Sequence, residues 1–224
     1  MIDGMEDEGR VTGITDQQVT AYLEGLMPRR SPLLMRLEEE ARQEGIPNIA
    51  PVSAAVLRLL CALHQPASIL EIGAAIGYSA IHMAEAAADA RITTIEIDPA
   101  RAARARANFE EAGLSGRITL IEGDALQHLP LLEGPFEMIF IDAAKGKYSQ
   151  FLTEAYRLCA AGGIIVTDNV LFRGLVARSP ETLDRRYRST VRRLREYNEL
   201  LMQHPGLSTT YLTVGDGIAV SIKR

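Results

Sequence analysis

Ile69-Leu-Glu-Ile-Gly-Ala-Ala-Ile-Gly-Tyr-Ser79 is the stretch whose reading decides the fold. Three apolar residues with one acid among them give way to two glycines four apart, and a helical pattern follows. That is the signature of a buried parallel strand turning into a helix over a bound nucleotide, with glycines where the backbone must approach the ligand. A dinucleotide site would show G-x-G-x-x-G and present backbone donors to a pyrophosphate. Here the spacing is Gly73-x-x-x-Gly77, and Glu71 stands two residues upstream, an acid that suits a cationic cofactor. The next apolar run, Thr93 to Asp98, carries Glu96, 23 residues past Gly73, where an acid can take the two hydroxyls of a ribose. Read alone, the stretch also allows a glycine turn in another kind of α/β enzyme.

Size and composition bound the rest. The 224 residues suit one α/β domain, predicted over residues 15–224, with residues 1–14 as an acidic, disordered tail. Hydrophobic residues make up 47% and charged residues 24%, and no apolar run approaches the ~18 residues that span a bilayer. The expectation is a soluble, cytoplasmic protein without membrane contact. Cys61 and Cys159 both fall in helical patterns and read as buried thiols, and the four histidines lack zinc spacing. A formal net charge of −5 argues against a wholly basic nucleic-acid binder but leaves local patches open.

Along the chain, Thr15-x-x-Gln18 has the form of a capping box before a helix to about Met27. Ser31-Pro32 opens a second helix that Gly45 closes, and Ser53 is expected to cap a third, to Leu63. A helix should follow Gly77 to about Ala88. Strands are expected near Ile92–Ile97, Ile118–Glu122, Met138–Asp142 and Ile164–Asp168, with helices near Pro99–Ala112 and Lys147–Ala160. That alternation is the rhythm of a parallel sheet. A long helix is expected from Leu183 to Met202, then a hairpin of Thr209–Val214 and Ile218–Lys223 around Gly215-Asp216-Gly217.

In open α/β sheets ligands sit beyond the carboxyl ends of the strands, and here those ends are acidic. The fourth strand ends in Asp142 and the fifth in Asp168-Asn169, an oxygen-only set that suits Mg²⁺ better than zinc. Read singly, each could instead be a helix cap or a turn former. Group transfer onto an oxygen needs in-line approach and a deprotonated acceptor, and a divalent ion that binds two adjacent oxygens supplies much of both. Lys145, three residues past Asp142, is the candidate base; Lys147 reads as a solvated residue of the next helix's first turn.

Taken together, Glu71, Glu96, Gly123-Asp124-Ala125, Asp142 with Lys145, Asp168-Asn169 and Gly215-Asp216-Gly217 resemble the metal-dependent O-methyltransferase family of catechol and caffeoyl-CoA methyltransferases, over about Asp16 to Lys223. The resemblance implies a Rossmann-like class I methyltransferase: a mostly parallel seven-stranded sheet, a C-terminal antiparallel hairpin and an N-terminal helical extension. It also implies S-adenosylmethionine as cofactor, Mg²⁺ on Asp142, Asp168 and Asn169, and a homodimer. Cofactor contacts are implied for Ile49, Glu71, Gly73, Ser79, Glu96, Asp124, Ala125 and Asp142, with catalysis by Lys145 and Asp142. Within the family, Ile46-Pro47, Gly77 to Ile81, Asp142 to Gly146, Thr167 to Val176, Tyr197-Asn198 and His204-Pro205 resemble the bacterial branch that methylates 5-hydroxyuridine at the tRNA wobble position. That implies 5-methoxyuridine as product and the anticodon region of tRNA as partner. Plant and animal relatives commonly carry another acid or a bulky residue at Ala144, so their substrate contacts do not transfer.

The charge pattern bears on that partner. From Arg173 to Arg195 eight arginines face two acids, Glu181 and Asp184, a local balance of +6. Arg185, Arg188, Arg192 and Arg195 recur at helical spacing as one stripe, expected to meet tRNA phosphates; Tyr187, Val191, Leu194, Asn198 and Leu201 form another, expected to be core. A merely solvated arginine face is the alternative. Asn198, an amide among apolar residues, must brace a loop or face the site. The sequence thus predicts a tRNA 5-hydroxyuridine methyltransferase, with a small-molecule catechol or phenolic methyltransferase as the alternative. A non-catalytic adenosine-ligand-binding module is the more distant alternative; the complete acid, amide and lysine set argues against it.

Overall fold

The computed structural model describes residues 17–224. The expected tail and the capping residue Thr15 lie outside them. Three helices come first, α1 (Gln17–Leu26), α2 (Pro32–Glu44) and α3 (Pro51–His64). The Leu34 N–H donates to Ser31 Oγ at 3.3 Å, and Gly45 closes α2 in the left-handed conformation at φ 65°, as the Ser-Pro…Gly punctuation predicts. Ser53 is not a cap. Ala50 precedes Pro51 at the first helical position, and Ser53 lies fully buried inside α3, where a Cβ at Gly215 would meet its hydroxyl.

Then β1 (Ser68–Ile72), α4 (Tyr78–Ala86), β2 (Arg91–Glu96), α5 (Pro99–Glu111), β3 (Ile118–Glu122), the short α6 (Ala125–His128), β4 (Phe136–Ile141), α7 (Tyr148–Leu158) and β5 (Cys159–Thr167) alternate. The chain closes with α8 (Arg185–Gln203), β6 (Leu207–Leu212) and β7 (Ile218–Lys223). The seven strands lie in the order β3-β2-β1-β4-β5-β7-β6. The first five are parallel; β7 runs antiparallel to β5 and β6 antiparallel to β7. This is the expected Rossmann-like sheet with its hairpin edge.

Alternate residues of each strand face opposite layers, as the two-residue strand period requires. Ile69, Ile92, Met138, Phe140, Ile164 and Val166 pack under α2, α3, α4 and α5. Leu70, Ile72, Ile95, Ile139, Ile141 and Ile165 pack against α7 and α8 on the other face. Cys159, expected in a helix, instead begins β5, because α7 ends at Leu158 and the chain pairs with β4 from there on, turning through the left-handed Gly162 (φ 76°) within the strand. A register irregularity against β4 between Phe136 and Met138 absorbs that early start. Asp184 caps α8 by accepting from the Arg186 N–H at 3.0 Å, two residues later than the sequence suggests.

Candidate active site

The strand order reverses between β1 and β4: β1 leads outward to β2 and β3, whereas β4 leads to β5. The crevice at such a switch point is where ligands bind in open α/β sheets. Here it is a cavity of about 680 Å³ beyond the carboxyl ends of β1 to β5. Gly73 makes its floor possible. At φ 103° it is left-handed, and a Cβ there would run into the Asp142 carbonyl oxygen. Gly77 (φ 89°) plays the same part toward the Phe109 ring, letting α4 start close against α5.

One end of the cavity is built for a polar ligand with hydroxyls. Glu96, 5% exposed, accepts the Ala75 N–H through Oε2 (2.7 Å) and the Asp98 N–H through Oε1 (3.0 Å), so its carboxylate is fixed with lone pairs to spare. Asp124 caps α6 by accepting from the Leu126 N–H at 3.0 Å. That bond, with Lys147 Nζ at 3.0 Å, holds the Asp124 carboxyl below the usual carboxylate range. Ile97, Arg101, Gly123 and Ala125 complete this end.

Glu71 is elsewhere. It is fully buried and absent from the cavity lining, its two oxygens accepting from Ser79 Oγ and Thr94 Oγ1 at 2.5 Å each. The sequence reading makes it a cofactor contact. The structure puts it under the floor, with Ser79 between it and the cavity, because its register on β1 turns it toward Thr94 of β2. Burial pushes its carboxyl up to about 7, against the two hydroxyl donors, with the charges of Asp142 and Glu96 adding to the rise.

At the other end stand Asp142, Lys145 and Asn169, with Phe172 and Thr190 on the wall. Lys145 Nζ donates to Asn169 Oδ1 at 2.5 Å, and Asn169 Nδ2 donates to Asp168 Oδ2 at 3.0 Å. Asp168 is 1% exposed, and its Oδ1 is buried with no partner. Burial raises both carboxyl pKa values; Asp142 raises that of Asp168 further, and Asp216 raises both. Like-charged oxygens and an orphaned acceptor in one place form a donor set that a hard divalent cation would satisfy. Among the described residues no three Asp, Glu, His or Cys side chains converge as a metal cluster, so the set consists of two carboxylates and one carboxamide.

The segment carrying Asn169 and Phe172 is bent through left-handed residues: Asn169 (φ 60°), Phe172 (φ 45°), Arg173 (φ 56°) and Gly174 (φ 76°). Surrounding bonds hold it there. Asp216 O accepts the Leu171 and Phe172 N–H groups, Asn198 Nδ2 donates to Val170 O at 2.9 Å, and Phe172 packs edge-on against Tyr187. Arg195 donates to the carbonyls of Val176 (2.8 Å) and Arg178.

The proposed basic stripe is therefore not uniform. Arg185, Arg188 and Arg192 are exposed, Arg188 donating to Leu183 O at 3.1 Å and Arg192 lying 3.8 Å from Glu196. Arg195 and Asn198 are loop braces instead, because the turn after β5 folds back onto their side of α8. Tyr197, which the sequence offers only as part of the resemblance and without a place or role, is fully buried, and its hydroxyl pairs with Thr167 Oγ1 at 2.7 Å. Sequence reasoning missed Arg101, Asn48 and Lys147 in the lining. Lys147 ends a tight turn, Lys145–Lys147, just before α7, and its partly solvent-exposed side chain also meets Asp124.

Of the remaining expected residues, Ile49, Gly73, Ser79 and Ala125 line the cavity, whereas Asp168 and the four stripe arginines do not. No helix among the described residues is long and apolar enough to cross a membrane.

Comparison with known proteins converges on one family. The O-methyltransferase family model matches residues 27–224. A catechol O-methyltransferase of Niastella koreensis is 34% identical over 220 residues, covering 93% of this chain and 97% of the relative. One from Mycobacterium tuberculosis is 35% identical over 217 residues, 92% of this chain and 95% of the relative. Among solved structures, an O-methyltransferase from Bacillus cereus in complex with S-adenosylhomocysteine superposes with a TM-score of 0.81 at 29% identity, covering 92% of this chain and 97% of that one.

Proposed function

The chain belongs to the O-methyltransferase family, and from that premise we propose that it moves the methyl group of S-adenosylmethionine onto a hydroxyl of a small catechol-like acceptor, with Mg²⁺ as the assisting ion. The observation that carries this reading is the meeting of Asp142, Asn169 and Lys145 over the buried, unpartnered Asp168 Oδ1 at one end of a cavity whose other end holds the fixed Glu96 carboxylate. The names of the two catechol relatives support the acceptor class.

In this reading Glu96 accepts the ribose hydroxyls, Asp124 meets the nucleoside's far edge, and Ser79 and the Gly73 backbone hold the amino-acid arm. Asp142, Asp168 and Asn169 would hold the ion. When bound, Mg²⁺ orients two adjacent acceptor oxygens and makes the hydroxyl more acidic. Lys145, already at Asn169 Oδ1, is the group positioned, as the neutral amine, to take the proton of the acceptor hydroxyl while that hydroxyl's oxygen gains the methyl group and the sulfonium becomes a neutral thioether. Phe172 closes the wall and excludes water. Methylation of catechol by the purified protein, lost in EDTA and restored by Mg²⁺, is the expected result. Full turnover in chelator refutes the ion's role.

A second reading, methylation of wobble 5-hydroxyuridine in tRNA, is favoured by one observation: α8 presents Arg185, Arg188 and Arg192 outward while Thr190 of the same helix lines the cavity. A polyanion along that face would bring a base to the mouth, and the base's 5-hydroxyl and 4-carbonyl are also an adjacent oxygen pair. Side-by-side kinetics on catechol and on 5-hydroxyuridine-containing tRNA separate the two: a strong preference for tRNA replaces the first reading, and inactivity on tRNA removes the second.

A further inference from the structure

Two loops that wall the cavity come from strands that do not touch. In the sheet, β3 and β4 are separated by β2 and β1, three steps of ~4.8 Å or about 14 Å. Yet Asp124, just past β3, and Lys147, past β4, meet: Lys147 Nζ donates to Asp124 Oδ2 at 3.0 Å. The pair must therefore pass above the carboxyl ends of the two strands between. Those ends carry Gly73, Ala74 and Ala75 after β1 and Glu96 and Ile97 at β2, the floor of the cavity that both charged residues also line.

The two partners are not alike in mobility. Asp124 is a fixed post, because its other oxygen caps α6 through the Leu126 N–H. Lys147 is the movable arm, on a flexible four-carbon stem in the same tight turn as Lys145. The Lys147 side chain stays 38% exposed and that of Asp124 27%, so water and salt reach the pair and it can open without burying a bare charge.

We propose that Lys147 is a positioning residue for the cofactor: with Asp124 it forms a strap over the nucleoside end of the cavity that closes on bound ligand and slows its departure. This rests on the methyltransferase reading for the identity of the ligand. Since Lys147 Nζ donates to Asp124 Oδ2, an amino group on the nucleoside that reaches the same oxygen must share it or displace the lysine. Entry and release therefore both pass through the open strap.

The test is dissociation of labelled S-adenosylhomocysteine, chased with excess unlabelled ligand, from the full chain and from Lys147→Met and Lys147→Arg. An exposed pair of this kind predicts release from Lys147→Met roughly two- to fivefold faster, with Lys147→Arg close to the unaltered protein. Release from the unaltered chain should quicken with added salt, and release from Lys147→Met should not. The effect on release should exceed any effect on single-turnover methyl transfer, and thermal midpoints should match, excluding misfolding. Equal release rates in all three, equal salt dependence, or a defect confined to the chemical step overturns the strap. If the unaltered chain does not bind S-adenosylhomocysteine, the methyltransferase reading itself falls, and the strap with it.

Discussion

Replacing Glu71 by Gln should make the stability difference between variant and parent depend on pH, by an amount the structure sets. Glu71 is fully buried, and its oxygens meet only the hydroxyls of Ser79 and Thr94. Hydroxyls can turn to accept as well as donate, so a glutamine fits the same two partners as a neutral acid would. Burial raises the folded carboxyl from the ordinary 4.5 to about 7. A raised folded pKa gives stability that is fully present below the unfolded value and lost as pH rises through the folded one. The parent should therefore weaken between about pH 4.5 and about pH 7, while Gln, which does not titrate, feels none of this. At ~1.4 kcal/mol per tenfold, the loss amounts to about 3.5 kcal/mol in full, of which about 2.5 kcal/mol falls between roughly pH 5 and pH 8.5. Asp168 titrates in both proteins and cancels in the difference, and the Asp142 charge, which couples to Glu71, is already part of the Glu71 rise. Urea unfolding at the two pH values, with equal slopes, reads the quantity directly. Glu71→Gln should gain about 2.5 kcal/mol on the parent as pH rises. A gap that does not move with pH would mean Glu71 ionises as readily folded as unfolded, and the reasoning from its burial would be wrong.

Three further outcomes are expected. Asp168→Asn removes a buried charge that Asp142 and Asp216 oppose, so at about pH 8 the metal-free variant should melt a few degrees above the parent, ~2–4 °C per kcal/mol, while any Mg²⁺-induced rise in the parent's midpoint disappears; scanning calorimetry with Mg²⁺ and with EDTA decides it. Glu96→Ala should weaken S-adenosylmethionine binding by about 1.5–3 kcal/mol, since a charge-assisted bond to the ribose is lost, and unchanged calorimetric affinity would remove Glu96 from the site. Arg195→Gln should raise the acceptor KM severalfold with little change in cofactor affinity, because it releases the carbonyls of Val176 and Arg178 in the loop behind Phe172, whereas Arg185→Gln should leave catechol kinetics alone; equal effects of the two substitutions would deny Arg195 its bracing role.

The division between what sequence and structure each decide follows from range. Local order alone determined the strand at Ile69, the glycine turn at Gly73, the acid at Glu96 and the acidic strand ends at Asp142 and Asp168, because these are statements about periodicity and about which residue closes an element. The same order made the mostly parallel sheet and its hairpin legible, since β-α alternation and a glycine turn are contiguous in the chain. It could not say where a side chain goes once elements pack. Glu71 faces Thr94 rather than the cavity because of its register with β2. Ser53 is core because Pro51 starts the helix before it and Gly215 packs on it. Arg195 and Asn198 hold a loop because four left-handed residues fold that loop back over α8. The bond between Asp124 and Lys147 joins residues 23 apart across two intervening strands. Sequence period fixes the face of an element, but strand order and the path of the loops decide which faces meet, and those emerge only when the whole core packs at once.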